Sequence, residues 1–153
     1  MLQCVGKYEL GENLMLNKRI LGVDFGDART GLAISDISGF LASGAGTIKS
    51  DSFLKTAQEV VRVAKERDVG LIVLGHPINM NGTLGPRSEK AQAFAQHLRE
   101  LCGLEVVLFD ERLSTANAHT MLNITNTRGQ KRKNIIDEMS ACLILQSYLD
   151  SKK

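Results

Sequence analysis

The run Gly70-Leu71-Ile72-Val73-Leu74-Gly75 is continuous in apolar side chains and closed at both ends by glycine. A strand with one solvated face alternates polar and apolar residues, whereas a strand apolar at every position has both faces covered, as in a parallel sheet between helices. That segment restricts the chain to a layered α/β architecture. With 153 residues, 43% of them hydrophobic, the chain suits one domain with a substantial core.

The neighbouring patterns agree. Residues 19–25 and 30–36 read as strands joined by Gly26-Asp27-Ala28-Arg29, a link suited to a hairpin, and a third strand is expected at 41–48. Residues 52–67 place Phe53, Ala57, Val60, Val61 and Ala64 at helical spacing, with Asp51 or Ser52 as the cap. Residues 76–86 hold both prolines and form a loop at the carboxyl end of the apolar strand. A helix at 88–102, a second buried strand at 105–109, a short helix at 114–122, a polar and basic loop at 124–133 and a final helix at 134–149, capped by Asn134, complete the order. The pattern β-β-β-α-β-α-β-α-α predicts a mixed sheet covered by helices. Residues 1–17 are expected to be a flexible extension, 18–150 the folded domain and 151–153 a short tail.

Composition removes several function classes. A net charge of +2 is too small to signal a nucleic-acid partner, so any such partner must be read from local clusters. Cys4, Cys102 and Cys142 are odd in number and lack CxxC spacing, as expected of reduced thiols in a cytoplasm. No stretch approaches the roughly 20 apolar residues of a membrane span, and a soluble protein is expected. His76, His97 and His119 have no zinc spacing, and neither GxxxxGK[ST] nor GxGxxG occurs. With 5% aromatic residues and no Trp, there is no obvious base-stacking platform, which points to backbone or shape recognition.

Three acidic sites close apolar elements: Asp24 after Leu21-Gly22-Val23, Asp110-Glu111 after Val106-Val107-Leu108-Phe109, and Asp137 early in the last helical pattern. A carboxylate in such a place is costly unless it is hydrogen-bonded, paired or bound to a metal. Alternation puts Asp24 on one face with Gly22 and Ile20, and helical spacing puts Asp137 on a packing face with Ala141 and Ile144. Asp110 and Glu111 point to opposite faces, so only one of them meets Asp24, and alternation leaves open which. Carboxylates converging at the carboxyl ends of parallel strands suit Mg²⁺ or Mn²⁺ and phosphodiester hydrolysis. The competing reading is structural: Asp24 caps a turn, Glu111 pairs with Arg112 or Arg29, and Asp137 favours a helix N-terminus.

Arg128, Lys131, Arg132 and Lys133 cluster just before Asp137, where a phosphate backbone could run toward the acidic site, with Arg29, Arg87 and Arg112 as further phosphate contacts. Ser114 and Thr115 are expected to cap the following helix. The loop Asn79-Met80-Asn81-Gly82-Thr83 offers amides and backbone to nucleic acid or to a partner protein, and His76 is a candidate phosphate donor or proton shuttle.

The assembled motifs resemble the YqgF (RuvX) family, the pre-16S rRNA nucleases once called Holliday junction resolvases, within the RNase H-like superfamily. The resemblance rests on Gly22-Val23-Asp24-Phe25-Gly26 with Arg29-Thr30-Gly31, Gly75-His76-Pro77-Ile78-Asn79-Met80-Asn81-Gly82, Asp110-Glu111-Arg112-Leu113-Ser114-Thr115, Lys131-Arg132-Lys133 and Asp137, in that order. It implies an RNase H-like three-layer fold, a five-stranded sheet in order 3-2-1-4-5, and a nuclease site of Asp24, Glu111 and Asp137 holding one or two Mg²⁺ or Mn²⁺ ions, with Asp110 supporting the following loop. The implied substrate is structured RNA, the 5′ end of pre-16S rRNA in ribosomal precursor particles, or a four-way DNA junction, acted on by a monomer or a homodimer. A non-catalytic nucleic-acid-binding or transcription-linked factor is the reading from another class. Asp24-Phe25-Gly26 with Arg29-Thr30-Gly31 also looks like the first phosphate motif of the actin and sugar-kinase group, which needs two such domains around a cleft, and this chain has room for one.

Overall fold

The computed structural model describes residues 18–113 and 129–152. Five strands, β1 (Arg19–Asp24), β2 (Arg29–Ser35), β3 (Ala42–Lys49), β4 (Val69–His76) and β5 (Glu105–Asp110), form one sheet in the order β3-β2-β1-β4-β5. The hairpin β1–β2 and the pair β2–β3 are antiparallel, while β4 runs parallel to both β1 and β5. Helices α1 (Phe53–Glu66) and α2 (Pro86–Cys102) cover one face, and α3 (Gly129–Ser151) covers the other. The RNase H-like order expected from the resemblance is the order observed.

Side-chain alternation sorts the two layers. Leu21 and Val23 of β1, Leu32 and Ile34 of β2, and Ile72 and Leu74 of β4 meet Val60, Ala64, Phe94 and Leu98 of α1 and α2. Ala33, Leu71 and Val73 meet Ala141, Ile144, Leu145 and Leu149 of α3. The Ser52 side chain caps α1, accepting from the Lys55 amide at 3.3 Å. Phe94, fully buried, stacks on Phe25 at 4.0 Å between ring centres and meets Phe53 edge-on at 5.4 Å. This trio ties the end of β1 to both covering helices, and Phe94→Ala is expected to cost about 3–5 kcal/mol in urea unfolding.

Two sequence expectations need correction. The basic segment is not a loop up to Lys133, because α3 begins at Gly129 and carries Lys131, Arg132 and Lys133 in its first turns. Asn134 is therefore inside the helix and not its cap. Gln, Lys and Arg are good helix formers, and one Asn costs only a few tenths of a kcal/mol there, so a charged run with no breaker after Gly129 extends the helix. The short helix expected at 114–122, residues 124–128 and the extension at 1–17 lie outside the described residues. No helix among the described residues is long and apolar enough to cross a membrane. Cys102 and Cys142 are free thiols, and burial pushes the Cys142 thiol up to about 11, as suits an inert packing residue.

Candidate active site

Because β1, β4 and β5 are parallel, their carboxyl ends share one edge of the sheet, where Asp24, His76 and Asp110 are the last strand residues. Val107 and Phe109 face α3 while Val106 and Leu108 face α1 and α2, so the alternation carried one step past β5 sends Glu111 to the α3 side. Glu111 opens a short 3₁₀ turn (Glu111–Leu113), and its carboxylate lies directly over Gly75, in the space a Cβ there would occupy. From that position it hydrogen-bonds to Asp24. Asp110 turns away and accepts from Arg112 through the backbone amide at 2.9 Å, Nε at 2.9 Å and Nη2 at 2.7 Å. These bonds hold the Asp110 carboxyl below the usual carboxylate range. The choice that alternation left open thus falls to Glu111.

Burial of the Asp24 carboxyl pushes its pKa well above the usual carboxylate range; the hydrogen bond to Glu111 and the charges of Glu111 and Asp137 push it further, and Arg87 partly opposes them. Carboxylates this close repel each other when ionised, and a positive ion between them would relieve that repulsion.

Asp137 reaches this edge from α3. Its backbone carbonyl sits on Gly31, the residue paired with Asp24 across the hairpin, so closely that a Cβ on Gly31 would overlap it. A Cβ on Gly22 would likewise lie 2.7 Å from Leu145 Cβ. The glycines let α3 rest on the sheet backbone and bring its carboxylate toward Asp24. The Asp137 carboxylate is turned to Arg29, whose Nε donates to Oδ2 at 2.8 Å. Asp137 is the ninth residue of α3, past the first turn, which removes the reading in which it serves the helix dipole.

A hard divalent cation is the natural guest for such all-oxygen donors. Asp24 and Glu111, already in contact, could offer two such donors, and a cation between them would relieve their mutual repulsion. Among the described residues, no three carboxylate, imidazole or thiol groups converge closely enough to hold one ion as they stand. Asp137, the third acidic candidate, is paired with Arg29.

The basic candidates separate. Arg29 is bound to Asp137 and Arg112 to Asp110, while Arg87, at the start of α2, faces Asp24. Lys131, Arg132 and Lys133 are in the first turns of α3; Arg128, Ser114 and Thr115 lie outside the described residues. His76 is on the face away from Glu111, where Nε2 contacts the buried Ser88 hydroxyl and the Gln92 amide at 3.4 Å, so it anchors α2 instead of facing the acidic pair. Sequence reasoning did not single out Gly75 and Gly31 as seats for Glu111 and α3. Their signal was a glycine at the α3-facing position of an otherwise apolar strand.

The sequence matches the family described as "RuvX: Holliday junction resolvase" over residues 18–151. The chain belongs to the RuvX family. Relatives named "Putative pre-16S rRNA nuclease" include one from Thermoanaerobacter pseudethanolicus, 46% identical over 88% of this chain and 98% of its own length. Another, from Bacillus cytotoxicus, is 48% identical over 88% of this chain and 99% of its own. Among solved structures, Thermus thermophilus RuvC in complex with a Holliday junction substrate aligns with a TM-score of 0.56 at 12% identity, covering 88% of this chain and 96% of that one. The fowlpox virus resolvase with junction DNA aligns at 0.51 and 15% identity, covering 88% and 98%. At such identities the two structures speak for the fold of this RuvX chain.

Proposed function

We propose that this chain is a metal-dependent endonuclease that hydrolyses phosphodiester bonds in structured nucleic acid, with the 5′ end of pre-16S rRNA as its substrate. The observation that carries the reading is the Asp24–Glu111 carboxyl pair, half-buried at the carboxyl edge of the sheet with Arg87 beside it. Arg87 lies close enough to act on the charge of Asp24, yet the Asp24 carboxyl is hydrogen-bonded to Glu111.

Asp24 and Glu111 are the residues that would hold Mg²⁺ or Mn²⁺, with Asp137 completing the set once released from Arg29. Bound there, the metal supplies an activated water and charge stabilisation at the leaving oxygen. The chain's own residues do the rest. Asp24, whose carboxyl favours its protonated form, would release that proton on taking a cation. Arg87 stands where a phosphate oxygen approaching Asp24 would be met, and Arg29, freed from Asp137, offers a planar donor to the same strand. Lys131, Arg132 and Lys133, in the first turns of α3, are the remaining phosphate-contact candidates, and contacts of that kind set position and salt dependence.

The test is cleavage of an end-labelled 16S rRNA precursor and of a four-way DNA junction, each with Mg²⁺, Mn²⁺ or chelator, by wild type and by Glu111→Gln. The expected result is a discrete cut in the precursor with either metal, none with chelator and none by the variant. Preferential cutting of the junction would move the assignment to junction resolution. Binding of both without cleavage under any metal would make the chain a nucleic-acid-binding factor.

A further inference from the structure

Beside the acidic pair, the segment from Pro77 to Ser88 and the turn at Glu111 enclose a groove of about 600 Å³. Its volume lies within the roughly 300–1,000 Å³ of small-molecule sites. Pro77, Ile78, Met80 and Pro86 give it apolar walls, and Arg87 and Glu111 form the end that adjoins Asp24.

The loop that makes one wall is held by its own polar groups. The Asn79 amide donates to the Thr83 carbonyl at 3.0 Å, the Gly82 amide to the Asn79 carbonyl at 2.8 Å, and the Thr83 amide to Asn81 Oδ1 at 3.1 Å. Asn79 Nδ2 and Asn81 Oδ1 both bond to the Thr83 hydroxyl, at 3.0 and 2.6 Å. The side-chain amides expected to read a partner are therefore engaged within the loop. What the loop presents outward is Met80, 86% exposed at its tip. The bonded loop thus holds Met80 at the groove, beside Pro77, Ile78 and Pro86.

We propose that this groove seats a single unpaired nucleobase of the RNA strand, adjacent to the phosphate that lies at Asp24 and Glu111. The inference rests on the nuclease reading and narrows its substrate class. The flat faces of the bases are the large apolar surfaces of a nucleic acid, and in a duplex stacking hides them, so only an unstacked base reaches such walls. The groove opens onto the acidic pair with Arg87 at the junction, so the phosphate of the same nucleotide falls beside the guanidinium. Met80 supplies what the missing aromatic residues do not, since a thioether packs favourably against a π-face and adapts to any of the four bases. The groove thus selects for a nucleotide out of the stack and not for its identity.

The test measures binding in Ca²⁺ and in chelator, using RNA duplexes that differ only in one unpaired 2-aminopurine, with Mg²⁺ cleavage of the 16S precursor followed in parallel. Wild type should bind the duplex with the unpaired base about tenfold more tightly than the fully paired one and change its fluorescence. Met80→Ala and Ile78→Ser should each reduce that preference by about fivefold while leaving affinity for the paired duplex unchanged. Equal affinity for the two duplexes, no binding to either, or a preference that survives both substitutions would overturn the proposal. Metal-dependent cleavage alongside any of these would show that the nuclease reading stands without it, and its absence that both fail. Met80 is exposed, so its variant tests binding and not folding.

Discussion

Asp24→Asn is expected to lower metal-dependent cleavage by at least about a thousandfold, the equivalent of the several kcal/mol a metal contributes to the transition state, and to leave the protein more stable at neutral pH. The two effects share one cause. Burial and the neighbouring acids make ionised Asp24 unfavourable, so its carboxyl holds a proton to higher pH in the folded chain than in the unfolded one. Between the ordinary carboxylate range and the raised value the folded state binds more protons than the unfolded state, and stability falls as pH rises. Asparagine removes this slope: it carries no charge, and its amide can donate to Glu111 in place of the Asp24 carboxyl. Urea unfolding from pH 4 to 8 in chelator should show a wild-type decline that the variant lacks. Adding Mg²⁺ at pH 8 should restore stability to wild type and not to Asp24→Asn, since only ions that bind the folded form stabilise it. A variant that loses cleavage and stability together would mark Asp24 as a structural acid.

The fold was legible because its elements announce themselves by period. Two uninterrupted apolar strands, a hairpin with a short link and amphipathic helices between them leave few topologies, and the layer assignment of Leu21, Val23 and Phe25 followed from alternation alone. Asp24 was legible for the same reason, as a charge closing an apolar strand. The choice between Asp110 and Glu111 was harder, since the sequence does not say whether the period of two persists where the chain leaves β5; in the structure it does, with Arg112 taking Asp110 and Gly75 making room for Glu111. The start of α3 was misread because a run of Lys and Arg reads as a solvated loop by charge, although each is a good helix former. The Arg29–Asp137 pair joins residues 108 positions apart, and no local pattern records it.

Gly31→Ala should cost about 3 kcal/mol or more and lower the melting temperature by roughly 10 °C, a large effect for one methyl group on an interior strand. Its Cβ would overlap the Asp137 carbonyl, which is backbone, so no rotamer change relieves the contact. Either β2 bends away or α3 lifts from the sheet. Lifting α3 loosens Ala141, Ile144 and Leu145, which are fully or almost fully buried against the sheet, and it moves Asp137 away from Asp24. Cleavage should therefore fall more steeply than the folded fraction, and the pH-dependent loss of stability should shrink as the Asp137 charge recedes from Asp24. Hydrogen exchange would locate the damage in α3 and β2, leaving α1 and α2 protected on the other face. A Gly31→Ala protein within about 1 kcal/mol of wild type would mean that α3 shifts freely over β2, and that the close approach of helix to strand is not what carries the third carboxylate to the site.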